Sequence, residues 1–152
     1  MMWTHLTYAN SSLVVASLSQ YVSTHPSAVL VRNLGTQTYF SLLRHSAAMV
    51  GNSSSGIIEA ASFGLPVVNI GNRQKGREVG PNVVHVPCGR DSIVDAIDQT
   101  LQPEVARRLT GLQNIYGDGR ASERIVTALN EVPLDNRLLQ KVFYESAMEP
   151  LS

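Results

Sequence analysis

One cysteine in 152 residues, Cys88, leaves no internal disulfide and no cysteine cage for zinc. A reducing, cytoplasmic setting is the expectation. Charge of one sign is also lacking: twelve Lys and Arg balance twelve Asp and Glu, for a formal net charge of zero. A chain so balanced has no broad field to capture nucleic acid or an anionic membrane, although a local anion site stays open. No apolar run reaches the roughly 18–20 residues of a membrane span. Met1-Met2-Trp3-Thr4-His5 is not a charged leader with an apolar stretch behind it, so no signal peptide is expected. His5, His25, His45 and His85 stand at no metal-ligand spacing, and Asp91, Asp95 and Asp98 read as a solvated helix face. No metal and no cofactor are therefore expected. No base neighbours Cys88, which reads as a buried, inert thiol, and His85 reads as packed within a strand.

What remains is an ordinary globular composition, 43% hydrophobic and 16% charged, which excludes wholesale disorder. A chain of this length buries about 68–70% of its unfolded surface, enough for one core. Trp3 to Tyr8 is a weak candidate strand. Ser11 and Ser12 precede Val14, Leu18, Tyr21 and Val22, whose i, i+4, i+7, i+8 recurrence marks one helical face, with Pro26 as the stop. Ala28 to Arg32 reads as a buried strand, and Thr36 as the cap of a helix carrying Tyr39, Phe40 and Leu43. Ala47 to Val50, Pro66 to Ile70 and Val83 to Val86 read as further strands. Between them a helix over Ile57 to Phe63 is closed by Gly64 and Pro66. Asp91 reads as the cap of a helix with Ile93, Val94, Ile97 and Leu101. Helices over Pro103 to Leu109 and Ala121 to Leu129 follow, the second with Asp118 as cap. Short strands apolar on both faces, alternating with helices, predict an α/β doubly wound parallel sheet.

In such a sheet ligands bind beyond the carboxyl ends of the strands. Gly51-Asn52-Ser53-Ser54-Ser55-Gly56 lies there, between a strand and a helix. Free backbone N–H groups, small hydroxyl residues and the helix dipole suit an anion. The run is neither a dinucleotide fingerprint nor a P-loop, and a serine-rich cap that binds nothing is the competing reading. Glu59 falls in the first turn of that helix. It is either a dipole-stabilised carboxylate or an acceptor for paired ribose hydroxyls. Arg73, Lys75 and Arg77 follow the next strand, where three cations would suit a diphosphate or form a solvated charged loop.

The run from Gly51 to Ala60, then Ser62 to Arg77 (SFGLPVVNIGNRQKGR), Glu78 to Val86 and Ile115 to Gly119, resembles the hydrolysing UDP-N-acetylglucosamine 2-epimerases. The branch it resembles most opens sialic acid synthesis, and the resemblance extends from about Ala28 to Leu129. It implies a Rossmann-like fold, the C-terminal half of a glycosyltransferase-B-type enzyme with two domains facing across a cleft. It implies that Ser53 and Ser54 hydrogen-bond the diphosphate of UDP, that Glu59 binds the uridine ribose and that Arg73 reaches a phosphate. The family reaction eliminates UDP from UDP-N-acetylglucosamine to a glycal and rehydrates it to N-acetylmannosamine. The Gly71-to-Arg77 run fits a glycosyltransferase of the same fold less well.

On that resemblance residues 1–132 form an incomplete C-terminal UDP-binding domain and residues 133–152 a helix or tail. The family's N-terminal domain, with the acidic residues proposed for proton transfer, is expected to be absent, as is the opening strand with its nucleotide-contacting His, a role His5 does not fill. No catalytic residue is assigned. The expected substrate partners are UDP-N-acetylglucosamine and UDP, and the expected protein partner is a complementary N-terminal half or a full-length homologue. Without one the chain is expected to be inactive, and a binding module without chemistry is the alternative.

Overall fold

The computed structural model describes residues 11–136. The strand expected over Trp3 to Tyr8, His5 and most of the helix or tail expected over residues 133–152 lie outside the described residues. The described chain divides into two compact units between Tyr116 and Gly117.

The first unit is built on three parallel strands in the order β1 (Met49–Gly51), β2 (Val67–Ile70), β3 (Val83–Val86). Its helices are α1 (Ser11–Thr24), α2 (Gly35–His45), α3 (Ser55–Ile58), α4 (Arg90–Thr100) and α5 (Pro103–Arg108), with a 3₁₀ turn over Ala60–Phe63. This is the expected α/β arrangement, a parallel sheet with helical crossovers consistent with a Rossmann-like fold. Val67 and Val68 face opposite sides of the sheet and both are buried, so helices cover β2 on both faces. On the Val67 side Leu43, Ala60 and Leu65 complete a core cluster, with Tyr39, Met49, Phe63 and Val83 packed against it. Helix α4 packs on β2 and β3. Buried Asn82 donates from Nδ2 to the Leu65 carbonyl at 3.0 Å, tying the approach to β3 to the approach to β2.

The α3 segment ends as the sequence signals. Gly64 adopts φ 59°, ψ 24°, and its N–H reaches the Ala61 carbonyl at 3.1 Å. An added Cβ at Gly64 would also meet the Leu109 carbonyl oxygen at 3.1 Å, so glycine is needed there twice over.

Several expectations are corrected. Ala28 to Arg32 is not a strand; Val29 is 44% exposed, and no described segment pairs along the outer side of β1. β-branched residues favour a strand only where a neighbour completes the ladder. Thr36 and Asp91 sit inside the first turns of α2 and α4, whose capping positions are Leu34 and Gly89. Gly89 is extended and takes the cap through its backbone carbonyl, which accepts from Ile93 at 3.0 Å. β3 is the sheet's edge among the described residues, so Val84 and His85 are exposed rather than packed.

In the second unit α6 (Ala121–Glu131) begins at Arg120, and Asp118 is not its cap. Asp118 instead accepts the Arg120 N–H at Oδ1, 3.0 Å, and Oδ2 pairs with Arg124. The Arg120 amide first, and then Arg124, holds its carboxyl below the ordinary aspartate range. A lowered folded pKa makes the contribution present at neutral pH and lost as pH falls through that value. Acidification is therefore expected to lower the exchange protection of the Arg120 amide relative to its neighbours, and Asp118→Asn should remove most of that relative pH dependence. A pH-independent rate ratio between Arg120 and its neighbours would contradict this.

Candidate functional site

The register aligns Gly51 with Asn69 and Asn69 with His85, so the loops after all three strands leave one end of the sheet. Ser53, Ser54 and Ser55 follow β1 there. Gly56 and Ile57 donate to the carbonyls of Ser53 and Ser54 at 3.2 and 3.0 Å, which winds the run into α3. Ser55 N–H reaches Ser53 Oγ at 3.3 Å. The backbone N–H groups of Ser53 and Ser54 and the Ser54 hydroxyl have no hydrogen-bond partner among the described residues.

These serines line a cavity of ≈ 570 Å³ together with Glu59, Tyr39 and Phe40. Helix α2 supplies the two aromatics because Tyr39 and Leu43 share a helical face and Leu43 enters the core. The Tyr39 and Ser55 hydroxyls are hydrogen-bonded to each other. Burial pushes the Tyr39 hydroxyl above the ordinary tyrosine range; the Ser55 bond offsets this in part, and the nearby Glu59 charge adds to it. Glu59 Oε2 is shut off from water and has no hydrogen-bond partner among the described residues.

The helix-dipole part of the sequence argument does not survive. α3 has only four residues, and Glu59 stands at its far end, where the 3₁₀ turn starts, not in its first turn. Too few peptide units align there to build a strong macrodipole. What the run offers an anion is free N–H and hydroxyl donors instead.

Arg73 is not in the wall of this cavity. Its Nη1 donates to the Asn52 carbonyl at 2.9 Å, and Gln74 Nε2 donates to the same oxygen at 2.8 Å. Two side chains of the β2 loop thus hold the root of the serine run. Gln74 was not singled out in the sequence, where a neutral amide within a cationic run carries no signal. Lys75 and Arg77 go elsewhere: with Gln74 and His85 they line a separate cavity of ≈ 270 Å³. The three side chains do not line one cavity.

Cys88 is exposed, against the expectation of a buried thiol, because it follows the edge strand β3. No group of three or more His, Cys, Asp or Glu able to hold a metal occurs among the described residues. Among them, no helix is long and apolar enough to cross a membrane.

With this geometry in place, comparison with known proteins is informative. A family model described as UDP-N-acetylglucosamine 2-epimerase matches residues 3–130. A Legionella pneumophila protein named UDP-N,N'-diacetylbacillosamine 2-epimerase (hydrolyzing) is 38% identical over 130 residues, 85% of this chain and 33% of that protein. The polysialic acid biosynthesis protein P7 of Escherichia coli is 39% identical over 113 residues, covering 74% of this chain and 29% of its own length. A UDP-N-acetylglucosamine 2-epimerase of Neisseria meningitidis serogroup B is 35% identical over 111 residues, 70% of this chain and 28% of its own. The chain thus spans about a third of the length of the curated relatives it matches.

Proposed function

The chain belongs to the UDP-N-acetylglucosamine 2-epimerase family, and from that premise we propose that it supplies the UDP-holding part of a hydrolysing 2-epimerase acting on a UDP-linked 2-acetamido sugar. The relatives' names include both N-acetylglucosamine and N,N'-diacetylbacillosamine substrates, and a 2-acetamido sugar on UDP is the class they share. We place the reaction in the cytoplasm, where nucleotide sugars are made available to such enzymes.

The observation that carries this reading is Glu59. Among the described residues its buried Oε2 lacks a donor, and Glu59 stands in the same cavity wall as the unpartnered donors of Ser53 and Ser54. A ligand that presents hydroxyl donors at one end and phosphate oxygens at the other satisfies both sets, and a nucleoside diphosphate is such a ligand. In this reading the serine N–H and hydroxyl groups hold the diphosphate. Glu59 accepts from the ribose, and the aromatic wall of Tyr39 and Phe40 faces the remaining apolar part. Arg73 fixes the Asn52 carbonyl and brings positive charge to the root of the cradle.

The chemistry follows from this placement. Elimination removes the proton at sugar C2; that bonding pair forms the C1=C2 double bond, and the C1–O pair leaves on the β-phosphate of UDP. Donors already aimed at the diphosphate stabilise the charge that develops on it. Water then adds oxygen at C1 and a proton at C2 from the opposite face. The residues assigned here serve the leaving group; none is assigned to the proton transfers, which are general acid–base work worth about 10²–10⁴-fold.

Calorimetric titration of UDP into the purified chain tests the reading. Saturable one-to-one binding, weakened at least about tenfold in Ser54→Ala, is expected, since one hydrogen bond to a charged group is worth about 1.5–3 kcal/mol. Absence of UDP binding by a chain with a folded circular dichroism spectrum would overturn it.

A further inference from the structure

Lys75 and Arg77 are not used by the site above, and the structure gives them a place of their own. The loop after β2 folds on itself through Lys75 N–H to the Asn72 carbonyl at 2.9 Å and Arg77 N–H to the Gln74 carbonyl at 3.2 Å. Gly76, at φ +85°, carries the chain through the reversal. Lys75, Arg77, Gln74 and His85 thereby meet around a cavity of ≈ 270 Å³. Neither the Lys75 nor the Arg77 side chain has an ion pair or hydrogen bond among the described residues.

Two further features mark the cavity as more than a charged loop. Gln74 is only 3% exposed; its Nε2 is used on Asn52, and its Oε1 is buried with no hydrogen-bond partner among the described residues. His85 Nδ1 lies 2.9 Å from Asn69 Nδ2, and Asn69 is 1% exposed. The amide nitrogen donates, so Nδ1 accepts and the ring proton is placed on Nε2. The wall therefore holds two cations, one imidazole N–H and one amide oxygen that needs a donor.

We propose that this cavity is a second anion site, distinct from the serine cradle, which takes a phosphate group carrying a hydrogen-bond donor: free phosphate or a small phosphomonoester. Lys75 and Arg77 neutralise the charge, with Arg77 offering the fork of donors that matches phosphate oxygens. The His85 N–H adds a neutral donor, and the acceptor of Gln74 selects a ligand bearing a hydroxyl or a protonated oxygen.

The test titrates inorganic phosphate into the full chain at constant ionic strength, followed by ³¹P line width, with and without saturating UDP. Phosphate is expected to bind in the presence of UDP, at least about tenfold more weakly in Arg77→Ala and in Lys75→Ala, and unchanged in Ser54→Ala. Sulfate, which carries no proton at neutral pH, is expected to bind more weakly than phosphate. Both substituted side chains are exposed, so the variants keep the fold, which a circular dichroism spectrum verifies. Phosphate that UDP displaces and that Ser54→Ala abolishes would reduce the two sites to one and overturn the proposal, as would equal affinity in the Arg77 and Lys75 variants. The variant arm reads the same without UDP, so a failure of UDP to bind leaves this inference separately testable.

Discussion

Glu59→Ala is expected to weaken UDP binding by roughly 10–100-fold while leaving thermal stability equal or raised. The two halves of that result come from one carboxylate. In the free protein Glu59 Oε2 is buried without a donor among the described residues, an arrangement that costs on the order of 1–3 kcal/mol. Alanine removes the uncompensated oxygen, so the free fold loses little or gains. In the complex the Glu59 carboxylate turns to accept ligand hydroxyls, and each such charge-assisted bond is worth about 1.5–3 kcal/mol. Calorimetry with UDP, paired with a melting curve of the free protein, reads both. A variant that melts lower and binds UDP unchanged would make Glu59 a structural residue and remove the support for the ribose role.

The sequence made parts of this arrangement legible and hid others, for reasons that can be assigned. β3 was placed at Val83–Val86 because an apolar β-branched run stands there between Pro81 and Pro87. β2 was placed within one residue, and the α3 segment was closed correctly by Gly64, whose left-handed backbone leaves glycine little competition. These are local signals. Ala28 to Arg32 has the same composition as a strand and is not one, because a ladder partner is a property of the neighbours. The exposure of His85 and Cys88 was likewise invisible: it depends on β3 standing at the edge of the sheet, and strand order is not written in any one strand.

The serine run, Glu59 and the cationic loop were each visible as motifs, but their grouping was not. Spacing alone put Arg73, Lys75 and Arg77 together, five consecutive positions after one strand. The turn closed by the Lys75 N–H on the Asn72 carbonyl separates them, with Arg73 on the Asn52 carbonyl and the other two at the second cavity. Gln74 emerges only in three dimensions, since the carbonyl it holds is 22 residues earlier in the chain. Periodicity puts Tyr39 on one side of a helix with Phe40 and Leu43, and Tyr39 does pack against the core; its hydroxyl reaches past the core to Ser55, a second role that periodicity does not carry.

Gly56→Val is expected to destabilise the first unit by about 3 kcal/mol and to abolish UDP binding, with Gly56→Ala intermediate. Gly56 is buried in the first turn of α3, where the helix crosses β1 and β2 at closest approach. A Cβ built there meets Val67 Cγ1 at 2.9 Å and Met49 Sδ at 3.5 Å. One methyl therefore already requires movement. Met49 is flexible and can give way, but Val67 is 2% exposed and belongs to the core cluster with Leu43, Ala60 and Leu65. Two further methyls leave no rotamer that avoids the strand, and α3 must lift. The lift carries the cradle with it, because Gly56 and Ile57 donate to the Ser53 and Ser54 carbonyls. Close helix-to-strand approach and anion binding thus depend on the same missing side chain. Urea denaturation orders the three proteins, with glycine expected above alanine and alanine above valine. Equal midpoints, or a valine variant that still binds UDP, would show that α3 is not seated on β2 as closely as this packing requires.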